Sequence, residues 1–389
     1  MKSAVVFVLC VAFACAAPKP NIIMLFVDDL GAGDLGFTGH PTTHTPNLDA
    51  LAHGGMTLTT WYSGAPLCSA SRAALMTGRV AERVGVPPVF GPTGNVGMRT
   101  NETTVAQVAL AAGYKTAAVG KWHLGQMPEF MPGARGFQHY LGIPYSDDMG
   151  KARATPCTGS GPAALVSKQL PIEDYGYTDA IADMEKFGDP AGTYLPLVHQ
   201  EGDGTTASLD VLEQPLDFST LAEKYNKFAT DFITNNTDNP FFLYMPFSHV
   251  HTTANNQPAG QYAGCQFQNS TKRGPFGDAL AEVDWIVGNV VATLAEMKLT
   301  EDTLILMTGD NGPWLVHGLS AGSEGLFTGR TAGYWNTGKG CTWEGGVREA
   351  GFAYWPGQIA AGSRSLELVS SLDLLPTVAN LTGQALPTN

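Results

Sequence analysis

Four short clusters of titratable or ligating side chains each follow an apolar run by a few residues: Asp28-Asp29, Lys121 with His123, His249 with His251, and Asp310-Asn311. Asp28, Asp29, Asp310 and Asn311 offer only oxygen donors. Three ionised carboxylates converging on one point repel strongly unless a hard cation lies between them, so the set points to one calcium ion per chain, with magnesium the lesser fit. His249-x-His251 alone would suit zinc, but no cysteine or third histidine stands near it. Lys121, His123, His251 and the later Lys339 form a basic group suited to a small phosphate-like or sulfate-like oxyanion held against the cation.

These clusters can act together only if the fold gathers them. Residues Asn21 to Val27, Thr116 to Val119, Phe241 to Phe247 and Thr303 to Thr308 read as buried strands. Helical patterns lie between them. Thr45-Pro46 opens one through Ala52, Leu221, Tyr225, Phe228 and Phe232 share a helical face, and Ala279 to Met297 forms another. The alternation predicts an α/β fold with a mostly parallel, mixed sheet flanked by helices. All four clusters then fall at the carboxyl edge of that sheet, where ligands bind. Residues 151 to 218, with scattered Gly, Pro and acids, read as a long irregular excursion.

The composition supports a large packed core. Of 389 residues 44% are hydrophobic and only 15% charged, which excludes disorder, while the net charge of −13 argues against nucleic acid as a partner. Residues 1 to 17 carry Lys2, an apolar run and Ala14-Cys15-Ala16-Ala17, the pattern of a cleavable signal peptide. Residues 18 to 389 are then the mature chain, which fits one large domain or two modest ones, and no later stretch is apolar enough to be a transmembrane anchor. The secretory pathway follows, with a lysosomal or extracellular destination, and Asn-x-Ser/Thr sites at Asn101, Asn235, Asn269 and Asn380 suit a glycoprotein.

Three motifs are set aside. Gly31 to Gly36 fits G-x-G-x-x-G, but Thr38-Gly39-His40-Pro41 follows rather than a helix, and two acids precede it. Gly333 to Lys339 lacks the hydroxyl residue that a Walker loop needs, since Gly340 comes next. Gly318 to Gly322 mimics a nucleophile elbow, yet no histidine follows Ser320.

Cys68-Ser69-Ala70-Ser71-Arg72 opens a helix-like stretch that runs to Thr77 and closes at Gly78-Arg79. A helix N-terminus favours negative charge and would suit a thiolate nucleophile. The sequence here resembles the sulfatase family, whose signature is Cys-x-Pro-Ser-Arg followed by an apolar helix and Thr-Gly-Arg. Further matches are Gly113-Tyr114-Lys115-Thr116 with Gly120-Lys121-Trp122-His123-Leu124-Gly125, then Gly274 to Asp278 and Asp310-Asn311-Gly312-Pro313. Gly338-Lys339-Gly340 with Glu344 to Glu349 completes the set, and the resemblance runs from about Pro20 to Asn380.

The resemblance implies an alkaline-phosphatase-like core and oxidation of Cys68 to formylglycine by the formylglycine-generating enzyme in the endoplasmic reticulum. One hydroxyl of the aldehyde hydrate would attack sulfur, with His251 and Lys339 assisting the departing alcohol or phenol. The second hydroxyl, deprotonated by His123, would let sulfate leave. Arg72 and Lys121 would steady the hydrate, and Lys121, Ser146, His251 and Lys339 would contact substrate, a sulfated small molecule, lipid or sugar. Asp28, Asp29, Asp310 and Asn311, with residue 68, would hold the metal. A non-catalytic sulfate-binding or matrix protein, and a phosphonate or phosphodiester hydrolase, are the alternatives on this scaffold. Without its leader the chain keeps Cys68, Cys157, Cys265 and Cys341. With Cys68 reserved for chemistry the rest are odd in number, so at least one thiol is free or lacks its partner in this chain. Two departures from the family stand out. Ala70 occupies the proline position, and the sequence stops at Asn389, before the small C-terminal domain that family members usually carry, which reads as a truncated product.

Overall fold

The computed structural model describes residues 19–153, 193–253, 260–327 and 337–388. The leader, Cys157, most of the 151 to 218 stretch and most of the Walker-like loop lie outside the described residues. The strands are β1 (Asn21–Val27), β2 (Met56–Leu58), β3 (Trp61–Tyr62), β4 (Lys115–Lys121), β5 (His139–Ile143), β6 (Leu197–Glu201), β7 (Asp210–Glu213), β8 (Phe241–Phe247), β9 (Thr303–Gly309), β10 (Arg348–Glu349), β11 (Gly351–Tyr354), β12 (Ser363–Ser365) and β13 (Val369–Ser370). Ten of them form one sheet in the order β12-β2-β11-β9-β1-β8-β4-β5-β6-β7, and β10-β3-β13 form a second, small one. The five central strands, β9-β1-β8-β4-β5, are mutually parallel. Antiparallel pairings flank them, β11 against β9 on one side and β6 against β5 on the other.

The central strands are apolar throughout because helices cover both faces. Along β1, Ile23, Leu25 and Val27 face one core while Ile22, Met24 and Phe26 face the other. The first core is closed by helices Pro46–Gly54, Leu221–Thr234 and Pro275–Glu296. The second lies under Cys68–Thr77, Val105–Ala111 and Leu374–Thr382. Thr45 precedes its helix without capping it, since its hydroxyl donates to Asp49 Oδ1 and accepts from Gly36 N.

Residues 193–218 correct part of the irregular reading. They carry β6 and β7, an antiparallel extension of the sheet. Strands of five and four residues, the second mostly exposed, are too short to give a clear periodic signal. The nucleophile-elbow mimic begins in a 3-10 stretch, Leu315–Ser320, and runs just past its end rather than lying on a strand-to-helix turn.

Register sets the site. Val27 at the end of β1 pairs with Gly309 of β9 and Phe247 of β8, so the three strands finish level. Gly120, just before Lys121, has φ of +133°, and a Cβ there would lie 1.9 Å from the carbonyl oxygen of Pro246. Only glycine lets β4 approach β8 so closely. Gly113, with φ of +86°, has open space around it. Gly113→Ala is therefore expected to cost about 1 kcal/mol of unfolding free energy, from backbone strain alone, and Gly120→Ala clearly more. Urea unfolding of the two variants checks this, and equal losses would contradict the close approach.

Candidate active site

Each central strand delivers one part of the site as it ends. β1 delivers Asp28 and Asp29, β9 Asp310 and Asn311, β4 Lys121 and His123, β8 the segment with His251, and β5 the turn with Ser146. Backbone bonds continue the sheet past its edge, from Asp28 N to His249 O (2.8 Å) and from Val250 N to Asp28 O (2.9 Å). Asp29 adopts φ of 54°, which turns its carboxyl toward the same cluster as that of Asp28. Helix Cys68–Thr77 is buried along its whole length and places Cys68 and Arg72 against this edge.

The carboxylates are packed among cations. Arg72 Nη2 lies 2.8 Å from Asp310 Oδ2 and 3.4 Å from Asp28 Oδ2, while its Nη1 donates to Lys121 O (2.9 Å). Lys121 Nζ donates to Asp28 Oδ2 and to Ser146 Oγ (2.9 Å). Lys339 Nζ donates to Asp29 Oδ1 at 2.6 Å. Burial pushes the Asp28 carboxyl up, but Lys121, Arg72 and their neighbours outweigh it and hold Asp28 well below the ordinary range. Burial and the Asp28 charge raise Asp310 to about 7. Burial lowers Lys339, yet Asp29 and the other carboxylates hold it well above its usual value.

Cys68 Sγ lies 3.9 Å from Asp28 Oδ1. One ligand atom from each of Asp28, Asp29, Cys68 and His251 falls within 4.8 Å of the others. Burial works against the expected thiolate. Burial pushes the Cys68 thiol up to about 12, with Asp28 and Asp310 adding to the effect and Lys121 and Lys339 unable to offset it. The thiol is a poor nucleophile in that state.

A hard cation fits this donor set. Asp29 Oδ2 and Asn311 Oδ1 are both buried with no hydrogen bond, leaving two oxygen acceptors unsatisfied beside Asp28 and Asp310. Asp29 N donates to Asp310 Oδ1 (3.0 Å) and Asn311 Nδ2 to Asp29 Oδ1 (2.7 Å), so the four residues adjoin. His249 stands apart. Its Nε2 meets Glu282 at 3.0 Å, so the His-x-His pair is split between two networks and the zinc alternative loses its second nitrogen.

The two remaining histidines have defined tautomers, because a carbonyl can only accept. His251 Nδ1 donates to Thr252 O (2.6 Å), which leaves Nε2 as the acceptor, 3.5 Å from both Ser146 Oγ and Asp29 Oδ2. His123 Nε2 donates to Phe90 O (2.9 Å), and its buried Nδ1 has no partner. Burial, with Lys121 close to both and Lys339 close to His251, keeps the two rings neutral.

Several residues escaped the sequence reading. Asp147 Oδ1 sits 3.2 Å from His251 Nδ1, fully buried. Trp314 lies beneath Lys339, whose Nζ is 4.8 Å from the ring centre. Glu349 is buried near Asp310 with both oxygens lacking hydrogen bonds, and burial lifts its carboxyl well above the ordinary range. Asp147-Asp148 had a usable signal, a further acidic pair just past an apolar run. Glu349 had none beyond its place within a matched motif, and Trp314 none beyond following one. Ala70 N donates to Pro88 O (3.3 Å), a bond that proline there could not make.

A sequence model of the sulfatase family matches residues 20–384. Human arylsulfatase A is 41% identical over 97% of this chain and 67% of its own length, and rat arylsulfatase G is 38% identical over 96% and 67%. The chain thus spans about two thirds of these relatives. The crystal structure of the PsFucS1 sulfatase from Pseudoalteromonas sp. superposes with a TM-score of 0.73 at 32% identity, covering 94% of this chain and 68% of that one. The family match, the identities and the shared fold lead to one conclusion: the chain belongs to the sulfatase family of enzymes.

Proposed function

We propose that this chain hydrolyses sulfate monoesters as an arylsulfatase, with Cys68 converted to formylglycine and calcium held by Asp28, Asp29, Asp310, Asn311 and residue 68. The observation that carries the reading is the meeting of one ligand atom each from Cys68, Asp28, Asp29 and His251 within 4.8 Å of one another. When present, the ion supplies a Lewis acid for the sulfate oxygens, and the aldehyde hydrate supplies one oxygen to attack and a second to release the product.

The protein's own groups divide the remaining work. Arg72 bridges Asp28 and Asp310 and fixes both. Lys121 Nζ and Ser146 Oγ offer donors to the oxyanion from one side. Lys339 Nζ holds protons to give to the departing oxygen, whereas His251 donates only after Nε2 has taken one up. His123 Nδ1, a buried lone pair, is the base for a hydroxyl on residue 68. Biosynthesis through the secretory pathway agrees with the disulfide at Cys265 and the exposed Asn101, Asn235, Asn269 and Asn380. The formylglycine-generating enzyme is the partner required there, and the lysosome or the extracellular space the destination.

Full-length protein co-produced with that enzyme is expected to hydrolyse a chromogenic aryl sulfate in the presence of calcium, and Cys68→Ala to lose the activity by about a thousandfold or more. No turnover despite an aldehyde at residue 68, verified by mass spectrometry, would overturn the reading, and preferential turnover of a phosphodiester would transfer it to the phosphodiesterase alternative. Ala70→Pro should raise the fraction of the Cys68 peptide carrying the aldehyde, measured by the same mass spectrometry. Calcium at about a hundredfold excess over its Kd should stabilise the protein by about 2.7 kcal/mol, seen as a rise in Tm, and Asp310→Asn should abolish most of that rise.

A further inference from the structure

The His251 ring meets a carboxylate at each of its nitrogens. Nε2 lies 3.5 Å from Asp29 Oδ2, in the site already described, whereas Nδ1 lies 3.2 Å from Asp147 Oδ1. Asp148 completes a second group, since one ligand atom from each of Asp147, Asp148 and His251 falls within 4.8 Å of the others. The pair Asp147-Asp148 stands a few residues past the end of β5, much as Asp28-Asp29 stands past β1.

These two acids lack the counter-charge that the first group has. Asp147 is wholly buried and Asp148 half-buried. Asp147 Oδ2 and Asp148 Oδ1 are enclosed without a hydrogen bond among the described residues, and so are the hydroxyl oxygens of Thr252 and Thr253, the two residues after His251. No lysine or arginine among the described residues pairs with either acid, because Lys121 Nζ donates to Asp28 Oδ2 and Ser146 Oγ instead. Burial accordingly pushes the Asp147 carboxyl well above its ordinary range. A divalent ion would supply the missing charge and use the idle oxygens.

The donor types select the ion. An imidazole nitrogen beside two carboxylates suits zinc, whereas calcium takes oxygen ligands. Ligands bound at zinc distances around a tetrahedral ion stand about 3.3 Å apart, close to the 3.2 Å between His251 Nδ1 and Asp147 Oδ1. Nδ1 donates to Thr252 O at 2.6 Å when no ion is bound, so zinc takes the place of that proton. The neutral ring then carries its proton on Nε2, the nitrogen that faces Asp29 and Ser146.

We infer that Asp147, Asp148 and His251 Nδ1 form a zinc site, separate from the oxygen-donor site of Asp28, Asp29, Asp310 and Asn311 and joined to it through the His251 ring. Binding there needs neither conversion of residue 68 nor turnover of any ester.

Full-length Cys68→Ala protein saturated with calcium, so that neither the thiol nor the oxygen-donor site competes, is titrated with zinc chloride by calorimetry. One zinc per chain is expected, with Asp147→Asn and Asp148→Asn each weakening it by about tenfold or more while keeping a single cooperative thermal transition. Zinc affinity unchanged by both substitutions, zinc displaced by excess calcium, or no zinc uptake each overturns the inference. X-ray absorption at the zinc edge needs no change to the two acids: a shell of nitrogen and oxygen at about 2.0 to 2.2 Å supports the site, and sulfur at about 2.3 Å refutes it by placing the ion on a cysteine. Neither readout involves sulfate ester hydrolysis, so an inactive enzyme that binds zinc in this way would sink the catalytic reading and leave this one standing.

Discussion

Three carboxylates, those of Asp28, Asp29 and Asp310, are almost wholly withdrawn from water at the end of a parallel sheet. Each would cost several kcal/mol there if left ionised and alone. Arg72 makes the arrangement possible. Its guanidinium binds Asp28 and Asp310 with one nitrogen and the backbone of Lys121 with another, and its planar charge rests 5.6 Å from the Phe26 ring. Lys121 and Lys339 bring the inner cations to three, which equals the three acids formally. A divalent ion added to that balance would leave positive charge over, an excess that favours an anionic ligand.

A balance of this kind tolerates little movement, because misplacing one charge leaves its partner buried and uncompensated. The fold meets the requirement by building the site on strand ends rather than on long loops. The level finish of β1, β8 and β9, the backbone bonds between Asp28 and the His249-Val250 segment, and the buried helix under Cys68 all restrict the same few atoms. The 88–90 segment adds a further restraint. Pro88 O accepts from Ala70 N, Phe90 N donates to Ser69 Oγ (3.0 Å), and Phe90 O orients His123, so one short strap links the helix start to that ring.

Much of this was readable from the sequence where one physical signal dominated. β1 and β8 span the residues expected, and β4 and β9 differ from expectation by one or two residues at their ends, because strands buried on both faces are unbroken apolar runs. The clustered acids and bases at their ends needed no further clue. What was missed depended on packing. Asp147 is one of two adjacent acids past the end of β5, and spacing does not show that its Oδ1 meets His251. The split of His249 from His251 arises because the chain turns after β8 ends at Phe247, so the two rings meet different surroundings, Glu282 for one and Asp147 for the other. Nor could spacing reveal that burial pushes the Cys68 thiol up despite its place at a helix start.

The same burial constrains the order of events in biogenesis. The side chain of Cys68 is 2% exposed, and every residue of its helix is enclosed by the sheet edge and the neighbouring segments. Another protein cannot reach that sulfur once the domain has closed. On the proposed reading, oxidation of residue 68 would therefore have a deadline set by the folding rate of the nascent chain, and a variant that collapses faster would emerge with more of its molecules immature, however sound their architecture.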